Sequence, residues 1–118
     1  MNNKEIYKMH ADFCKFMGNA KRIEILFLLD GREMSVEEMA AEMNIRLANL
    51  SQHLSIMRER GVVTARRQGT RIFYKISNAK ILKACLVMRD VMFEQMKRKI
   101  NIMKDAGGYE KNRSEVTV

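Results

Sequence analysis

The sequence predicts a mainly α-helical domain of five helices carrying one small β-hairpin, and three observations support that prediction. Apolar residues recur at three- and four-residue steps along most of the chain, but at steps of two between residues 63 and 76. Glycines stand at the joints between these periodic segments, at Gly18, Gly31, Gly61 and Gly69. The chain has 118 residues, 47% of them apolar and 31% charged, which suits one domain with a core of its own and is too apolar for wholesale disorder.

The elements follow in order. Asn2 or Asn3 caps a first helix whose apolar positions Ile6, Met9, Phe13 and Met17 recur at helical spacing, and Gly18 ends it. Asn19 caps a second helix. Its nearly continuous run Ile23-Glu24-Ile25-Leu26-Phe27-Leu28-Leu29 marks it as the central core helix, stopped by Asp30-Gly31. Ser35 and Glu38 have capping-box spacing and start a third helix with Val36, Met39 and Met43 inward. After a tight turn at Asn44-Ile45, a fourth helix runs over residues 47–60. Leu47, Leu50, Leu54 and Met57 face its core side, and Gly61 is its left-handed terminal residue. Val63 and Ala65 then alternate with Thr64 and Arg66, and Ile72, Tyr74 and Ile76 with Phe73 and Lys75, giving two strands joined near Gln68-Gly69. Ser77 or Asn78 caps a long last helix to residue 104. Its stripe, Ile81, Cys85, Met88, Met92, Met96 and Ile100, is longer than a domain of this size buries alone, so a partner chain is the natural cover. Residues 1–106 read as a single domain and residues 107–118, polar and opened by Gly107-Gly108, as a flexible tail.

Charge narrows the function. The net charge is +8, and residues 46–71 carry Arg46, Arg58, Arg60, Arg66, Arg67 and Arg71 against Glu59 alone. Most of the basic excess therefore lies on the fourth helix and the hairpin, as a polyanion binder requires. No apolar run approaches the roughly 20 residues that span a bilayer, and Glu5, Asp12 and Lys15 interrupt any leader, so a cytoplasmic protein without membrane contact is expected. Cys14 and Cys85 are far apart and lack metal-type spacing, which argues against a disulfide-stapled scaffold. An enzyme is not expected, because the chain has no phosphate loop, no nucleophile with a base and an orienting acid, and only two histidines. No cofactor is expected either.

Helix, short turn, helix and hairpin in that order make a winged helix-turn-helix, in which one helix enters the major groove of double-stranded DNA and the hairpin reaches the neighbouring backbone. Asn49, Ser51, Gln52, His53 and Ser55 lie on the outer face of the fourth helix, with Arg46 at its N-terminal end. Asn and Gln pair bidentately with adenine and Arg with guanine, while Ser reaches phosphates. Arg66, Arg67, Gln68, Thr70 and Arg71 tip the hairpin, where the arginines would grip the backbone. A polar helix face alone more often binds only water, and it is the arginine-tipped hairpin directly behind it that favours DNA. A non-specific architectural or RNA-binding winged helix is the alternative, and a partner-binding module using the last helix a third.

From about residue 13 to 97 the sequence resembles the arsenic-repressor (ArsR) family of winged-helix regulators. Phe16-Met17-Gly18-Asn19-Ala20-Lys21-Arg22-Ile23-Glu24-Ile25-Leu26 looks like that family's entry to its second helix. Leu50-Ser51-Gln52-His53-Leu54-Ser55-Ile56-Met57-Arg58-Glu59-Arg60-Gly61-Val62-Val63 looks like its reading helix, and Arg66-Arg67-Gln68-Gly69-Thr70-Arg71-Ile72-Phe73-Tyr74-Lys75-Ile76 like its hairpin. The resemblance implies a homodimeric repressor whose first and last helices form the dimer interface, which binds an imperfect inverted repeat and is released by an effector. Three departures stand out. The family's Cys-x-Cys metal site in the third helix falls on Ser35 and Glu37. The last helix has no His between residues 81 and 104, leaving Asp90 and Glu94 as poor ligands for soft metals, so no metal is expected. Arg46-Leu47-Ala48 replaces the usual Ser or Thr cap and Pro before the reading helix, at a capping cost of about 1 kcal/mol.

The effector is the open element. The resemblance places Cys14 and Cys85 on the two interface helices, where a thiol pair can serve as a switch through disulfide, persulfide or soft-metal chemistry. Both also suit a role as small apolar fillers. His10 and Cys14, one turn apart, can give a metal two ligands but have no local third. Met88, Met92 and Met96 recur at helical spacing, which is first a packing pattern and only then a thioether or apolar-ligand surface.

Overall fold

In a computed structural model that describes residues 1–106, the chain runs α1 (Asn3–Met17), α2 (Ala20–Leu28), β1 (Met34–Ser35), α3 (Val36–Met43), α4 (Leu47–Glu59), β2 (Val63–Gln68), β3 (Arg71–Ile76) and α5 (Ala79–Asp105). The tail expected from Gly107 onward lies outside the described residues. The described chain divides into two compact units at Leu82, and each is considered by itself.

Local chemistry accounts for the helix starts in the first unit. The Asn2 carboxamide oxygen accepts from the Glu5 N–H, and that of Asn19 accepts from the Lys21 and Arg22 N–H groups. At α3 the expected capping box is complete: the Ser35 hydroxyl accepts from the Glu38 N–H at 3.2 Å, and the Glu38 carboxylate accepts from the Ser35 N–H at 2.9 Å. Asn44 ends α3 in the left-handed region (φ 53°), and Gly61, at φ 76°, turns the chain from α4 into β2. Arg46 sits at the N-cap of α4 and makes no side-chain capping bond, as Arg46-Leu47-Ala48 implies.

Two features differ from the sequence reading. The hairpin is part of a three-stranded antiparallel sheet in the order β1-β3-β2, with Met34 opposite Tyr74 and Ser35 opposite Phe73. A two-residue strand is too short to show alternation and exists only through its partner. Leu47, expected on the core side of α4, is 48% exposed, while Leu50, Leu54 and Met57 are fully buried. The first turn of α4 extends past the packed body, so the apolar stripe loses its cover there. The core itself gathers Ile25, Leu26 and Leu29 of α2, Met39 of α3, the inner stripe of α4, and Val62 and Val63 at the start of the hairpin.

The second unit is the rest of α5. Along it Leu86, Val87, Met88, Val91, Met92, Phe93 and Met96 are all exposed. No helix among the described residues is long and apolar enough to cross a membrane.

Candidate nucleic-acid interface

The outer side of α4 projects the residues the sequence singled out, but not as one uniform face. Asn49, Gln52 and His53 line an open cavity of about 170 Å³ together with Ile45 from the preceding turn and Lys21 from the first turn of α2. Ser51 and Ser55 are exposed on the same helix and do not line that cavity. Lys21 was not foreseen. Its only sequence signal is its place two residues after the Asn19 cap, since its approach to α4 is a long-range contact. Two carboxamides and an ammonium around one concavity supply donors for phosphate oxygens and base edges alike.

His53 is half-buried, and its Nδ1 is buried without a hydrogen-bond partner among the described residues. Burial pushes its pKa below the ordinary histidine value, and the nearby charges of Arg22 and Lys21 push it further the same way. The ring therefore stands neutral at pH 7 beside two cations. Arg22 is fixed in turn, with Nη1 donating to the Phe16 carbonyl at 3.0 Å and its guanidinium stacked 4.3 Å from the Phe16 ring.

On the hairpin, cross-strand partners share a face and faces alternate along each strand. Val63, Ala65 and Tyr74 face inward, and Arg67, opposite Ile72, continues that face toward the tip. Arg66, opposite Phe73, and Gln68, opposite Arg71, lie on the other face. There the Arg66 guanidinium forks onto Glu33, with Nε 3.1 Å from Oε2 and Nη2 on Oε1, and its Nη1 donates to Gln68 at 2.8 Å. Arg71 donates from Nη2 to the Ser35 hydroxyl at 2.8 Å and lies 3.5 Å from Glu38 and 3.9 Å from Glu37. Both guanidinium groups also stack on Phe73, at 4.8 and 5.0 Å. Arg60, at the end of α4, pairs with Asp12 of α1 at 2.8 Å. Half of the six arginines that make residues 46–71 basic are thus matched by acids distant in sequence, whereas Arg46, Arg58 and Arg67 form no ion pair among the described residues. Thr70 and Gln68 are exposed at the tip.

The candidate effector residues lie in different units. Cys14 is exposed on α1. Cys85 is half-buried on α5, and burial raises its thiol pKa more than Arg89 lowers it. Among the described residues no three His, Cys, Asp or Glu side chains come together as a metal site.

Comparison with known proteins places this geometry. Residues 19–65 match the family model described as bacterial regulatory protein, arsR family. An uncharacterized HTH-type transcriptional regulator of Mycobacterium tuberculosis, Rv0081, is 35% identical over 111 residues, covering 92% of this chain and 97% of that protein. Its crystal structure superposes with a TM-score of 0.74 over 80% of this chain and 96% of that one. The transcriptional activator HlyU of Vibrio cholerae is 33% identical over 69% of this chain and 78% of its own length. The homodimeric winged helix-turn-helix DNA-binding domain Mb0332 of Mycobacterium bovis, a possible ArsR-family regulator, is 27% identical, with a TM-score of 0.70 over 83% of this chain and 93% of that one.

Proposed function

The chain belongs to the arsR family of bacterial regulatory proteins, a transcriptional regulator built on a DNA-binding winged helix-turn-helix and not an enzyme, and from that premise we propose that it is a repressor. In this reading it acts in the cytoplasm, binds an inverted-repeat operator as a homodimer and is released by an effector. The observation that carries the proposal is the cavity where Asn49, Gln52 and His53 of α4 meet Lys21 of α2. It sets sequence-reading carboxamides beside a phosphate-seeking cation on a helix whose opposite face, Leu50, Leu54 and Met57, is fully buried and so held rigidly.

In this mechanism the exposed side of α4 lies in the major groove. Asn49 and Gln52 read base edges, Arg46, Lys21, Ser51 and Ser55 hold phosphates, and the hairpin supplies the backbone grip. Two copies are needed to read both half-sites. Support for a dimer comes from the apolar residues that α1 exposes, Ile6, Tyr7, Met9 and Phe13, and from the uncovered apolar face of α5. The Mycobacterium bovis relative is itself homodimeric. Repression is the simpler output of an operator-bound dimer, although the Vibrio relative is an activator by name. For release, the exposed Cys14 is the more reactive candidate, because the raised pKa of Cys85 disfavours its thiolate.

The test is selection of duplexes from a random pool followed by competition against unselected DNA. A sequence-specific regulator gives a ratio of about a thousandfold or more. Gln52→Ala should relax preference at one operator position, and Arg67→Ala should weaken all duplexes alike. Equal binding of selected and random duplexes would establish the non-specific alternative instead. Repeating the assay with reductant, oxidant, polysulfide and soft metals on wild type, Cys14→Ser and Cys85→Ser tests the effector, and indifference to all of them would eliminate a thiol switch.

A further inference from the structure

Arg66 and Arg67 are adjacent in sequence but leave β2 on opposite faces, and their surroundings differ in kind. Each nitrogen of the Arg66 guanidinium donates within the fold, Nε and Nη2 to Glu33 and Nη1 to Gln68, and its plane lies on Phe73. Arg71 is held more loosely, by one hydrogen bond to the Ser35 hydroxyl, ion pairs to Glu38 and Glu37 at 3.5 and 3.9 Å, and the same ring. Around this face two arginines meet three carboxylates, and with Lys75 acting on Glu33, and Arg32 acting on Glu38 while paired with Glu42, four cations stand against four carboxylates. Such a face gives a polyanion no attraction. Arg67 has no partner among the described residues and stands on the other face, beyond the stretch where Val63, Ala65 and Tyr74 turn inward.

We infer that the hairpin arginines divide into one DNA cation and two staples: Arg67 takes a phosphate, while Arg66 and Arg71, clasped by Glu33 and by the N-terminus of α3, set the angle at which Arg67 is presented. This rests on the DNA-binding reading above. The mechanical reason lies in the sheet. A two-stranded hairpin is marginal on its own, and the tip, residues 66–71, lies past the buried part of the strands. Glu33 immediately precedes β1, and Arg66 lies on β2 with β3 between them. The Glu33–Arg66 pair therefore bridges the whole sheet over Phe73, and Arg71 ties the same ring to the capping box of α3. Glu33 and Arg66 are positioning residues, although Glu33 opposes DNA by its charge.

The experiment is equilibrium binding of one fixed duplex across a salt series by wild type, Arg67→Ala, Arg66→Ala, Arg71→Ala, Glu33→Gln, the double variant Glu33→Gln/Arg66→Ala, and the swap Glu33→Arg/Arg66→Glu. Arg67→Ala should reduce the slope of log K against log salt by about 0.9, the value for one phosphate contact. Arg66→Ala and Arg71→Ala should weaken binding about two- to fivefold, the range set by an exposed ion pair, with the slope unchanged. Glu33→Gln should also weaken binding, although it removes a negative charge. The double variant should be no worse than either single change, and the swap should restore affinity to within about twofold. Tighter binding by Glu33→Gln with a steeper slope would overturn the proposal, since Glu33 would then be restraining a phosphate cation. A slope loss in Arg66→Ala equal to that in Arg67→Ala would also overturn it. Wild type that shifts no duplex at low salt would refute the DNA reading itself, an outcome distinct from either of these.

Discussion

Replacing Leu54 by Ala separates the rigid half of α4 from its exposed half. Leu54 has no exposed surface and lies in the same stripe as Leu50 and Met57, which have none either. Trimming its isobutyl group to a methyl leaves a cavity bounded by a packed core of α2, α3 and hairpin residues with little freedom to collapse, so the loss falls in the range of about 3 to 4 kcal/mol. Against a total stability of about 5 to 15 kcal/mol this is a large share. It corresponds to a fall in Tm on the order of 15 °C or more. Leu47→Ala supplies the control within the same helix. Leu47 is 48% exposed at the first turn, and Ala is an equally good helix former, so the change should cost less than about 1 kcal/mol. Thermal and urea denaturation followed by circular dichroism reads both values. Equal losses at the two positions would refute the account, because Leu47 would then share the core stripe as its spacing alone suggests.

Arg46→Ser should add a side-chain cap to α4 and raise stability by about 1 kcal/mol, while weakening DNA binding; denaturation and titration on one sample test both signs. Gly61→Ala meets no atom within 4 Å, so its cost is the left-handed backbone at φ 76° alone, about 1 to 2 kcal/mol by urea denaturation. His53 should link DNA binding to pH. In the free protein burial, then Arg22 and Lys21, hold its pKa below the ordinary value, and a phosphate beside it reverses that balance, so binding takes up a proton. Affinity should rise as pH falls from 7.5 to 6, by at most about tenfold per unit, and His53→Gln should remove that slope. The stability of the free protein should move the other way. Its unfolded chain binds the proton more readily, so His53 costs stability as pH falls through the ordinary histidine pKa of about 6.5, and wild type should lose this margin relative to His53→Gln.

The helices were legible because their signals are local. Asn2, Asn19 and Ser35 cap what their side chains can reach, and Gly61 stops α4 because Gly accepts a positive φ at little cost. The misreadings share a cause. β1 exists through its pairing with β3 some forty residues later, and no pattern in Met34-Ser35 reveals it. Leu47 has the spacing of a core residue, but spacing says which side of a helix is apolar and not how far along the helix the cover extends. Met88, Met92 and Met96 are the opposite case: the length of their stripe already exceeded what a domain of this size buries alone, and all three are exposed along α5.

The candidate site was legible as a list of residue types, and its charge pairing was not. Six arginines against one glutamate is a true count over residues 46–71, but charge acts through space, and the carboxylates that matter, Asp12, Glu33, Glu37 and Glu38, all precede that stretch. Arg67 and Arg66 cannot be told apart by type or neighbourhood in the chain. They differ because strand pairing sends one side chain to each face, and only one face carries Glu33. The unforeseen cation, Lys21, arrives by the same logic, since α2 delivers it beside Asn49 and Gln52 across the core. The basic count of residues 46–71 therefore does not give the number of phosphate contacts: three of its arginines are paired within the fold, and Lys21 comes from outside it. For this chain the salt dependence of DNA binding should be set chiefly by Arg46, Arg58 and Arg67, since Lys21, 3.9 Å from Glu24, and Arg60, Arg66 and Arg71 are each paired with an acid within the fold.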